Sequence, residues 1–354
     1  IGVSTALSDQ RSTVIVKLST DAGLVGWGET GDIAGARAVI EEKLRPLLLG
    51  RNPLAKRSLW RAAWGANFGD GRAVGAVDVA LDDLRGKALG LPVADLYGGR
   101  LRERVLAYAS GMNYTDGVEA ERQFPDEAAR LAAEGFLAMK MRTGRFDPRR
   151  DLSILAKVRE AVGPNVRLLT DGNGAFTFHE AVKFGKELQK LDFYCFEEPL
   201  PQGLNYAGYE ALAAELEIAL AGGEVFDSRA AARDHIVRRS FDIIQPDVIL
   251  CGGIGEVLFI AEMARLWSIP CLPHCWSGAI GLAATVQTVA ALPNATFGHS
   301  AEEPMVETDT AENPFRTELA TEPLRQRDGY IDVPKRPGLG VDVDEEILAK
   351  YKSD

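Results

Sequence analysis

Residues 166–199, VRLLTDGNGAFTFHEAVKFGKELQKLDFYCFEEP, decide the fold, because they contain a complete strand–helix–strand unit. The apolar segments at 166–173 and 193–199 have the length of buried strands, and the amphipathic segment at 178–191 predicts a helix between them. When a helix connects two strands of one sheet, the two strands run parallel to each other. Both predicted strands end in acidic residues, at the end where α/β barrels carry their active groups.

The same alternation of strand and helix extends over most of the chain. Strands are predicted at 105–110, 138–142, 166–173, 193–199, 217–224, 242–248, 269–275 and 303–307. Eight short strands at this spacing favour a closed parallel α/β barrel over an open sheet. A doubly wound Rossmann sheet is the alternative, but the glycine-rich phosphate loop that should follow its first strand is missing.

The first hundred residues predict a different structure, a small α+β domain. A hairpin is expected from strands at 12–19 and 24–29, followed by helices at 34–49, 53–68 and 71–89. The tail, which contains Pro334, Pro337 and Gly338, is expected to be extended and to return to this domain. We therefore predict an N-terminal capping domain at 1–104, a catalytic barrel at 105–328 and a C-terminal segment at 329–354.

The composition of the 354 residues limits the possible functions. The net charge of −11 argues against nucleic acid as a partner, because phosphate backbones are bound by basic patches. No apolar segment approaches the roughly 20 residues of a membrane helix, and without a signal sequence the cytoplasm is the default location. The four cysteines are expected to be buried free thiols, and no second pair of ligands accompanies Cys271 and Cys275 to form a zinc site.

Polar and charged residues stand at the ends of seven predicted barrel strands. In chain order they are Lys140 and Arg142, Asp171 and Asn173, Glu197 and Glu198, Glu224, Asp247, His274, and Glu307. A single acidic residue after a strand is often only the cap of the next helix. A set of this size at one end of a barrel predicts a common site.

The chemistry of this set favours a magnesium site beside cations. Asp171, Glu197 and Glu224 follow three neighbouring strands and offer the oxygen ligands that Mg²⁺ prefers. Lys140 and Arg142 are two residues apart on one strand, so both side chains are expected to point into the barrel. Cations beside a metal can bind a substrate carboxylate and stabilise the charge that develops as its enolate forms.

A histidine and a carboxylate are expected to pair across the barrel mouth. His274 follows the seventh predicted strand, and Asp247 follows the sixth. A carboxylate behind a histidine fixes its tautomer and raises its basicity, so this pair predicts an acid–base dyad. An unrelated barrel enzyme with a Schiff base on Lys140 is an alternative, but such chemistry has no use for three carboxylates.

The ordered set resembles the mandelate racemase branch of the enolase superfamily, the group of mandelate racemase and muconate lactonizing enzyme. The segments that carry the resemblance are KMRTG (140–144), TDGN (170–173), FEEP (196–199), AGGE (221–224), QPDVILCGG (245–253) and PHC (273–275). YGGRLRERV (97–105) and ENPFR (312–316) resemble the family outside the site, so the likeness covers nearly the whole chain.

The resemblance implies a fold and a role for each residue. The fold is a modified TIM barrel of (β/α)7β type, with an α+β capping domain that the C-terminal segment completes.

The implied metal ligands for Mg²⁺ are Asp171, Glu197 and Glu224, without Glu198, and the implied substrate contact is Asn173. The implied catalytic residues are Lys140 against the substrate carboxylate, the dyad of Asp247 and His274, and Glu307 as a hydrogen-bond donor to the enediolate. His299 competes with Glu307 for that last position.

The resemblance also implies a small-molecule carboxylate substrate and a homo-oligomer. In this family an N-terminal segment closes over the barrel mouth and selects the substrate, and only the end of that segment is expected at 1–11. The chain therefore shows its specificity only in part. A relative without catalytic activity is a further alternative, but such a protein is expected to have lost a metal ligand or the dyad.

One position departs from the family pattern. The two-base racemases of the family have a second lysine where this chain has Arg142, and arginine is a poor general base because it stays protonated. It remains a good clamp for a carboxylate. We therefore favour one-base chemistry, first the dehydration of an acid sugar and second the cycloisomerisation of a sugar lactone. A racemase or epimerase with Lys140 as its second base is the third alternative.

Overall fold

The computed structural model describes residues 2–4, 10–31, 35–296, 298 and 302–352. An antiparallel sheet near the N-terminus consists of β1 (Gly2–Ser4), β2 (Gln10–Ser19) and β3 (Val25–Gly31). The predicted hairpin is confirmed as β2 and β3, and Gly23 takes a positive φ of 78° in the turn between them. No helix in the described ranges is long and apolar enough to cross a membrane.

Helices cover one side of this sheet. They are α1 (Ala36–Ala38), a π-helical segment (Val39–Leu44), α2 (Arg45–Leu48), α3 (Lys56–Ala66), α4 (Gly71–Leu89) and α5 (Val93–Leu96). Asp70 caps the N-terminus of α4, and Gly90 ends the helix in the left-handed conformation. The backbone of β3 lies against α4 at Gly26 and Gly28, where a Cβ would collide with carbonyl oxygens of the helix. Strand β3 is therefore fixed closely on α4.

The second sheet is parallel and carries the predicted strand–helix alternation. Its strands are β4 (Arg104–Gly111), β5 (Ala138–Arg142), β6 (Arg167–Asp171), β7 (Cys195–Glu197), β8 (Ala219–Gly222), β9 (Ile243–Ile244) and β10 (Met305–Asp309). They follow one another in sequence order, and β10 pairs with β4. The helices between them are α6 (Ala120–Ala133), α7 (Pro148–Val162), α8 (Phe178–Lys190), α9 (Tyr209–Glu215), α10 (Arg229–Arg238), α11 (Ile254–Arg265) and α12 (Ala279–Ala291), and α13 (Pro314–Thr317) follows β10.

The structure corrects the prediction of a seventh strand at 269–275. It forms only an isolated parallel bridge between Cys271 and Ile244. Pro270 and Pro273 interrupt the segment, and proline has no N–H to donate to a neighbouring strand. The segment still occupies the position of a barrel strand, because the Leu272 N–H donates to the carbonyl oxygen of Ile244 at 3.0 Å.

The C-terminal residues return to the N-terminal part of the chain. Strand β11 (Tyr330–Asp332) pairs antiparallel with β4, and helix α14 (Glu345–Lys350) follows it. The Val93 N–H donates to the carbonyl oxygen of Gly338 at 2.9 Å. Lys17 on β2 forms an ion pair with Glu345 at 2.7 Å. The contacts of Gly338 and Glu345 agree with a capping domain that the tail completes, whereas β11 joins the barrel strand β4. The three boundaries drawn from the sequence stay a prediction.

Candidate active site

The site is built on a layer of apolar residues inside the barrel. One buried side chain comes from each of the eight strand positions: Tyr108, Ala138, Leu169, Cys195, Ala221, Ile243, Leu272 and Met305. Because side chains alternate between the two faces of a strand, the residue two positions later points inward one layer higher. Those residues include Lys140, Asp171, Glu197, Gln245, His274 and Glu307. The barrel thus has an apolar floor and a polar layer at the C-terminal ends of its strands.

Lys140 lies at the centre of this polar layer, with 3% of its side chain exposed. Its ammonium donates to Glu197 Oε1 at 2.6 Å, lies 2.8 Å from Glu307 Oε1, and is 3.8 Å from Asp171. Burial lowers the pKa of Lys140, but the charges of Glu197 and Glu307 outweigh burial and raise that pKa well above its ordinary value. Lys140 is therefore a fixed positive charge, as expected for a group that faces a substrate carboxylate.

Three carboxylates surround this cation at the same level of the barrel. Asp171 ends β6 and is paired in register with Glu197, which ends β7, while Glu224 follows β8. Burial, and then the neighbouring carboxylates, raise the pKa of Glu197 to about 7 against the opposing effect of Lys140. Burial and Asp171 also raise the pKa of Glu224. The cluster thus concentrates negative charge that a further cation would stabilise.

The three carboxylates fit Mg²⁺ by donor type and charge, since this ion prefers oxygen ligands. Each of them also contacts a cationic side chain. Glu197 contacts Lys140, and Asp171 contacts Arg142. Glu224 lies 3.3 Å from His274 Nε2. In the described part of the chain no three side chains of metal-binding type converge on one point.

The predicted dyad is present as a short contact. His274 Nδ1 lies 2.7 Å from Asp247 Oδ2, so Nδ1 carries a proton and donates a hydrogen bond to the carboxylate. The backbone N–H of Ile249 donates to the other oxygen of Asp247 at 2.8 Å. Nε2 of His274 is directed towards Glu224, and it lies 4.0 Å from Glu307. This geometry leaves Nε2 as the atom that can exchange a proton with a substrate.

The charges around His274 control its basicity. Burial lowers the pKa of the imidazole, but Glu224, Glu307 and Asp247 outweigh burial and raise that pKa to about 10. A ligand that neutralises Glu224 would remove the largest of these opposing contributions. Its binding would lower the pKa of His274 towards the range in which a neutral imidazole acts as a base.

Glu307 lies between Lys140 and His274. It accepts a hydrogen bond from the backbone N–H of Cys275 at 3.1 Å, besides its ion pair with Lys140. Burial raises the pKa of Glu307, but Lys140 and His274 lower it more, and the net pKa is below its ordinary value. In this arrangement Glu307 accepts hydrogen bonds, and its expected role as a donor stays a prediction. Its competitor His299 lies outside the described residues.

Asn173 and Glu198 occupy the edge of the site. Asn173 is exposed, has a positive φ of 41°, and donates its backbone N–H to Asp171 Oδ1 at 2.8 Å. Its predicted contact with substrate stays a prediction. The Glu198 carboxylate accepts hydrogen bonds from the hydroxyl of Tyr206, at 2.6 Å, and from Gln202. Glu198 therefore has its own partners, and its omission from the metal ligands stays a prediction.

Sequence reasoning missed two residues of the site. Gln245 donates to Glu197 Oε2 at 2.8 Å, and the side chain of Arg142 lies over the ring of Trp276, 4.5 Å from its centre. Gln245 was detectable, because it is two residues before Asp247 on the same predicted strand. Nothing in the sequence around Trp276 indicates its contact with Arg142, which comes from a strand far away in the chain.

Family models match two parts of the chain. The model described as mandelate racemase / muconate lactonizing enzyme, N-terminal domain, matches residues 1–98. The model described as enolase C-terminal domain-like matches residues 123–347. The two matches agree with the observed division into an N-terminal sheet with helices and a parallel barrel, and they confirm the predicted fold class.

Individual relatives match over nearly their full length. D-Galactarolactone cycloisomerase of Agrobacterium fabrum strain C58 is 34% identical over 97% of this chain and 92% of its own length. Arabinonate dehydratase of Saccharolobus solfataricus is 33% identical over 96% of this chain and 90% of its own length. The crystal structure of the 3,6-anhydro-D-galactonate cycloisomerase from Zobellia galactanivorans superimposes with a TM-score of 0.90, at 33% identity over 100% of this chain and 97% of that one. The chain belongs to the enolase superfamily, in the family of mandelate racemase and muconate lactonizing enzyme.

Proposed function

We propose that the protein removes the α-proton of an acid-sugar carboxylate with the help of Mg²⁺ and dehydrates the sugar to a 2-keto-3-deoxy acid. The observation that carries this proposal is the dyad of His274 and Asp247, at 2.7 Å, beside the carboxylate cluster. Glu307 separates the dyad from the cation Lys140. A base and a fixed cation in one polar cluster are what α-proton removal requires.

The substrate carboxylate is expected to bind next to the cations of the site. Asp171, Glu197 and Glu224 would hold Mg²⁺, and the bound ion would supply a Lewis acid that stabilises negative charge on the carboxylate oxygens. Lys140 would add its fixed charge to the same oxygens. Arg142 is held against Asp171 and Trp276 and can clamp a polar group of the substrate with its remaining N–H donors.

The proton transfers are assigned to His274. Its Nε2 takes the α-proton, and Asp247 stabilises the imidazolium that forms. The electron pair of the broken C–H bond passes into the enediolate and then forms the new double bond as the β-hydroxyl leaves. The same Nε2 proton joins the leaving hydroxide as water, and the enol product then becomes the keto acid. One base serves both steps, so the α-proton and the hydroxyl must leave from the same face.

Racemisation is disfavoured because it needs a second base on the other face of the substrate. Arg142 stays protonated, and Lys140 donates to one carboxylate while it forms an ion pair with a second. Cycloisomerisation of a sugar lactone is the second candidate function. It shares the first proton transfer, and it is favoured by the two cycloisomerases that are 34% and 33% identical to this chain.

A product assay distinguishes these outcomes. Aldonates, aldarates and their lactones are incubated with the protein and Mg²⁺ in D₂O and followed by proton NMR. We expect signals of a 2-keto-3-deoxy acid for at least one open-chain acid sugar. Turnover of a lactone to an isomer without a keto acid would replace dehydration by cycloisomerisation. Exchange of the α-proton with inversion and without other products would instead establish an epimerase.

A further inference from the structure

A buried carboxylate of the N-terminal sheet reaches the barrel near the dyad. Glu29 lies on β3, is 1% exposed, and accepts hydrogen bonds from the backbone N–H groups of Gly278, at 2.6 Å, and Gly281, at 2.9 Å. The hydroxyl of Thr13 on β2 also donates to Glu29, at 3.1 Å. Three donors thus hold this carboxylate in a single position between the two parts of the protein.

Glu29 caps the helix that follows the catalytic histidine. Helix α12 begins directly after Gly278, whose own position provides no side-chain cap. The N–H groups at a helix N-terminus need acceptors, and a negative charge there is favourable. Only three residues lie between His274 and Gly278. Glu29 therefore fixes the end of the loop that carries the histidine.

Gly278 leaves room for this contact. A Cβ on Gly278 would lie 2.8 Å from Glu29 Oε1, whereas a Cβ on Gly281 would collide with the side chain of Ser277 and only touch Glu29 Oε2, at 3.5 Å. Gly278 has a φ of −77°, which other residues adopt without strain. Its lack of a side chain is thus explained by the approach of Glu29 and not by the backbone conformation.

The next residue of β3, Thr30, contacts the loop that follows Asp247, the other member of the dyad. The Thr30 hydroxyl is 3.1 Å from the carbonyl oxygen of Ile249 and 3.0 Å from that of Arg72. Ile249 donates its N–H to Asp247. A Cβ on Gly75 of α4 would lie only 2.5 Å from the same carbonyl oxygen of Ile249, so the loop is packed tightly against α4. Consecutive residues of one strand therefore touch the loops of both dyad members.

We propose that Glu29 and Thr30 are positioning residues that hold the loops of His274 and Asp247 in register for proton transfer. This proposal rests on the catalytic role proposed above for the dyad. Neither residue touches the reacting atoms. They act through the backbone of the two loops, and their strand is fixed by the close contact of β3 with α4. The N-terminal domain is thus part of the catalytic apparatus and not only a cover.

The main test replaces Glu29 by glutamine. The glutamine has similar size but loses the negative charge and one of the two acceptor oxygens, so one helix N–H loses its partner. A misplacement of catalytic groups by about 1 Å can cost about a hundredfold in rate, and we expect a loss of kcat approaching that size with little change in KM. A residue that only stabilises the fold would lower the melting temperature without this loss.

Asp83→Asn is the matched control. Asp83 is buried, belongs to the same domain, and accepts backbone N–H groups of Trp27, at 3.0 Å, and Leu339, at 2.9 Å. It contacts β3 but neither dyad loop. Asp83 supports β3 at Trp27 but contacts neither Glu29 nor Thr30, so we expect Asp83→Asn to lower the melting temperature and to lower kcat much less than Glu29→Gln does. Equal losses of kcat in both variants would overturn the proposal.

A spectroscopic readout separates this proposal from the proposed function. The Nδ1–H proton of His274, donated to Asp247, is expected as a downfield NMR signal that His274→Asn removes. We expect this signal to shift or broaden in Glu29→Gln and to stay unchanged in Asp83→Asn, whether or not a substrate is known. An unchanged signal in Glu29→Gln would refute the positioning role. The absence of turnover in the unmodified protein, with the signal shifted as expected, would refute the proposed function alone.

Two further variants approach the same contacts independently. Gly278→Ala changes the barrel side of the contact, where the new methyl group displaces the Glu29 carboxylate. We expect it to reproduce the effects of Glu29→Gln. Thr30→Val removes the hydroxyl at nearly constant volume, and Thr30→Ser keeps it. We expect a loss of kcat in the valine variant that serine restores. Full activity of Thr30→Val would exclude Thr30 from the positioning pair.

Discussion

Replacing His274 by asparagine is expected to lower the rate of α-proton removal by about 10²- to 10⁴-fold, the contribution of a positioned general base. Asparagine cannot take a proton from carbon, but it is small enough to fit the site and polar enough to remain near Asp247. Because His274 is not among the proposed metal ligands, Mg²⁺ binding should persist. Solvent exchange of the α-proton measures the first effect, and titration calorimetry measures the second.

His179→Asn is a suitable control for the histidine variant. His179 is exposed on α8, and its replacement should leave both measurements unchanged. Normal α-proton exchange in His274→Asn would show that the dyad of His274 and Asp247 does not act as the base. Loss of Mg²⁺ binding in the same variant would assign the histidine to the metal site.

Replacing Glu197 by glutamine is expected to have the largest effect on Mg²⁺ affinity. Glu197 is 1% exposed and is the middle carboxylate of the three strand ends. The variant removes a charged oxygen ligand, so the loss should exceed the about 10- to 100-fold cost of removing a group that only supports a ligand. Titration calorimetry with Mg²⁺ measures the change directly, and turnover at moderate Mg²⁺ concentration should fall with it.

The neighbouring residue provides a control within the same segment. Burial, and then Glu224, raise the pKa of Glu198 to about 9, and the side chain has hydrogen-bond partners of its own in Tyr206 and Gln202. Glu198→Gln should therefore bind Mg²⁺ as the unmodified protein does. Loss of affinity in Glu198→Gln alone would show that the two glutamates were assigned in the wrong order. An equal loss in both variants would add Glu198 to the ligands, and no loss in either would remove Glu197 from them.

The regular part of the barrel could be predicted because its signals are local. Strand β5 was predicted with its observed bounds, and helix α4 likewise, because periodicity and capping residues lie within each segment. The seventh strand was predicted from its apolar residues, although Pro270 and Pro273 reduce it to a bridge. The prediction did not allow for these two prolines, which lack the backbone N–H that a strand donates to its neighbour.

The parts that could not be predicted depend on contacts between distant residues. The contact of Glu29 with Gly278 joins residues far apart in the chain, and a strand sequence such as LVGWGE contains no signal for a helix cap elsewhere. Similarly, the contact of Arg142 with Asp171 follows from rotamers and charges within the folded site. The sequence indicated which side chains meet, but it did not indicate how cations and carboxylates divide into pairs.

The most direct test of the central claim follows the α-proton of acid sugars by NMR in D₂O, with Mg²⁺ and with a chelator. The claim is that this site removes that proton with a metal and His274. It predicts loss of the α-proton signal of at least one acid sugar when Mg²⁺ is present, and an unchanged signal in the chelated protein. An unchanged signal for every acid sugar with Mg²⁺, or equal loss after chelation, would contradict it.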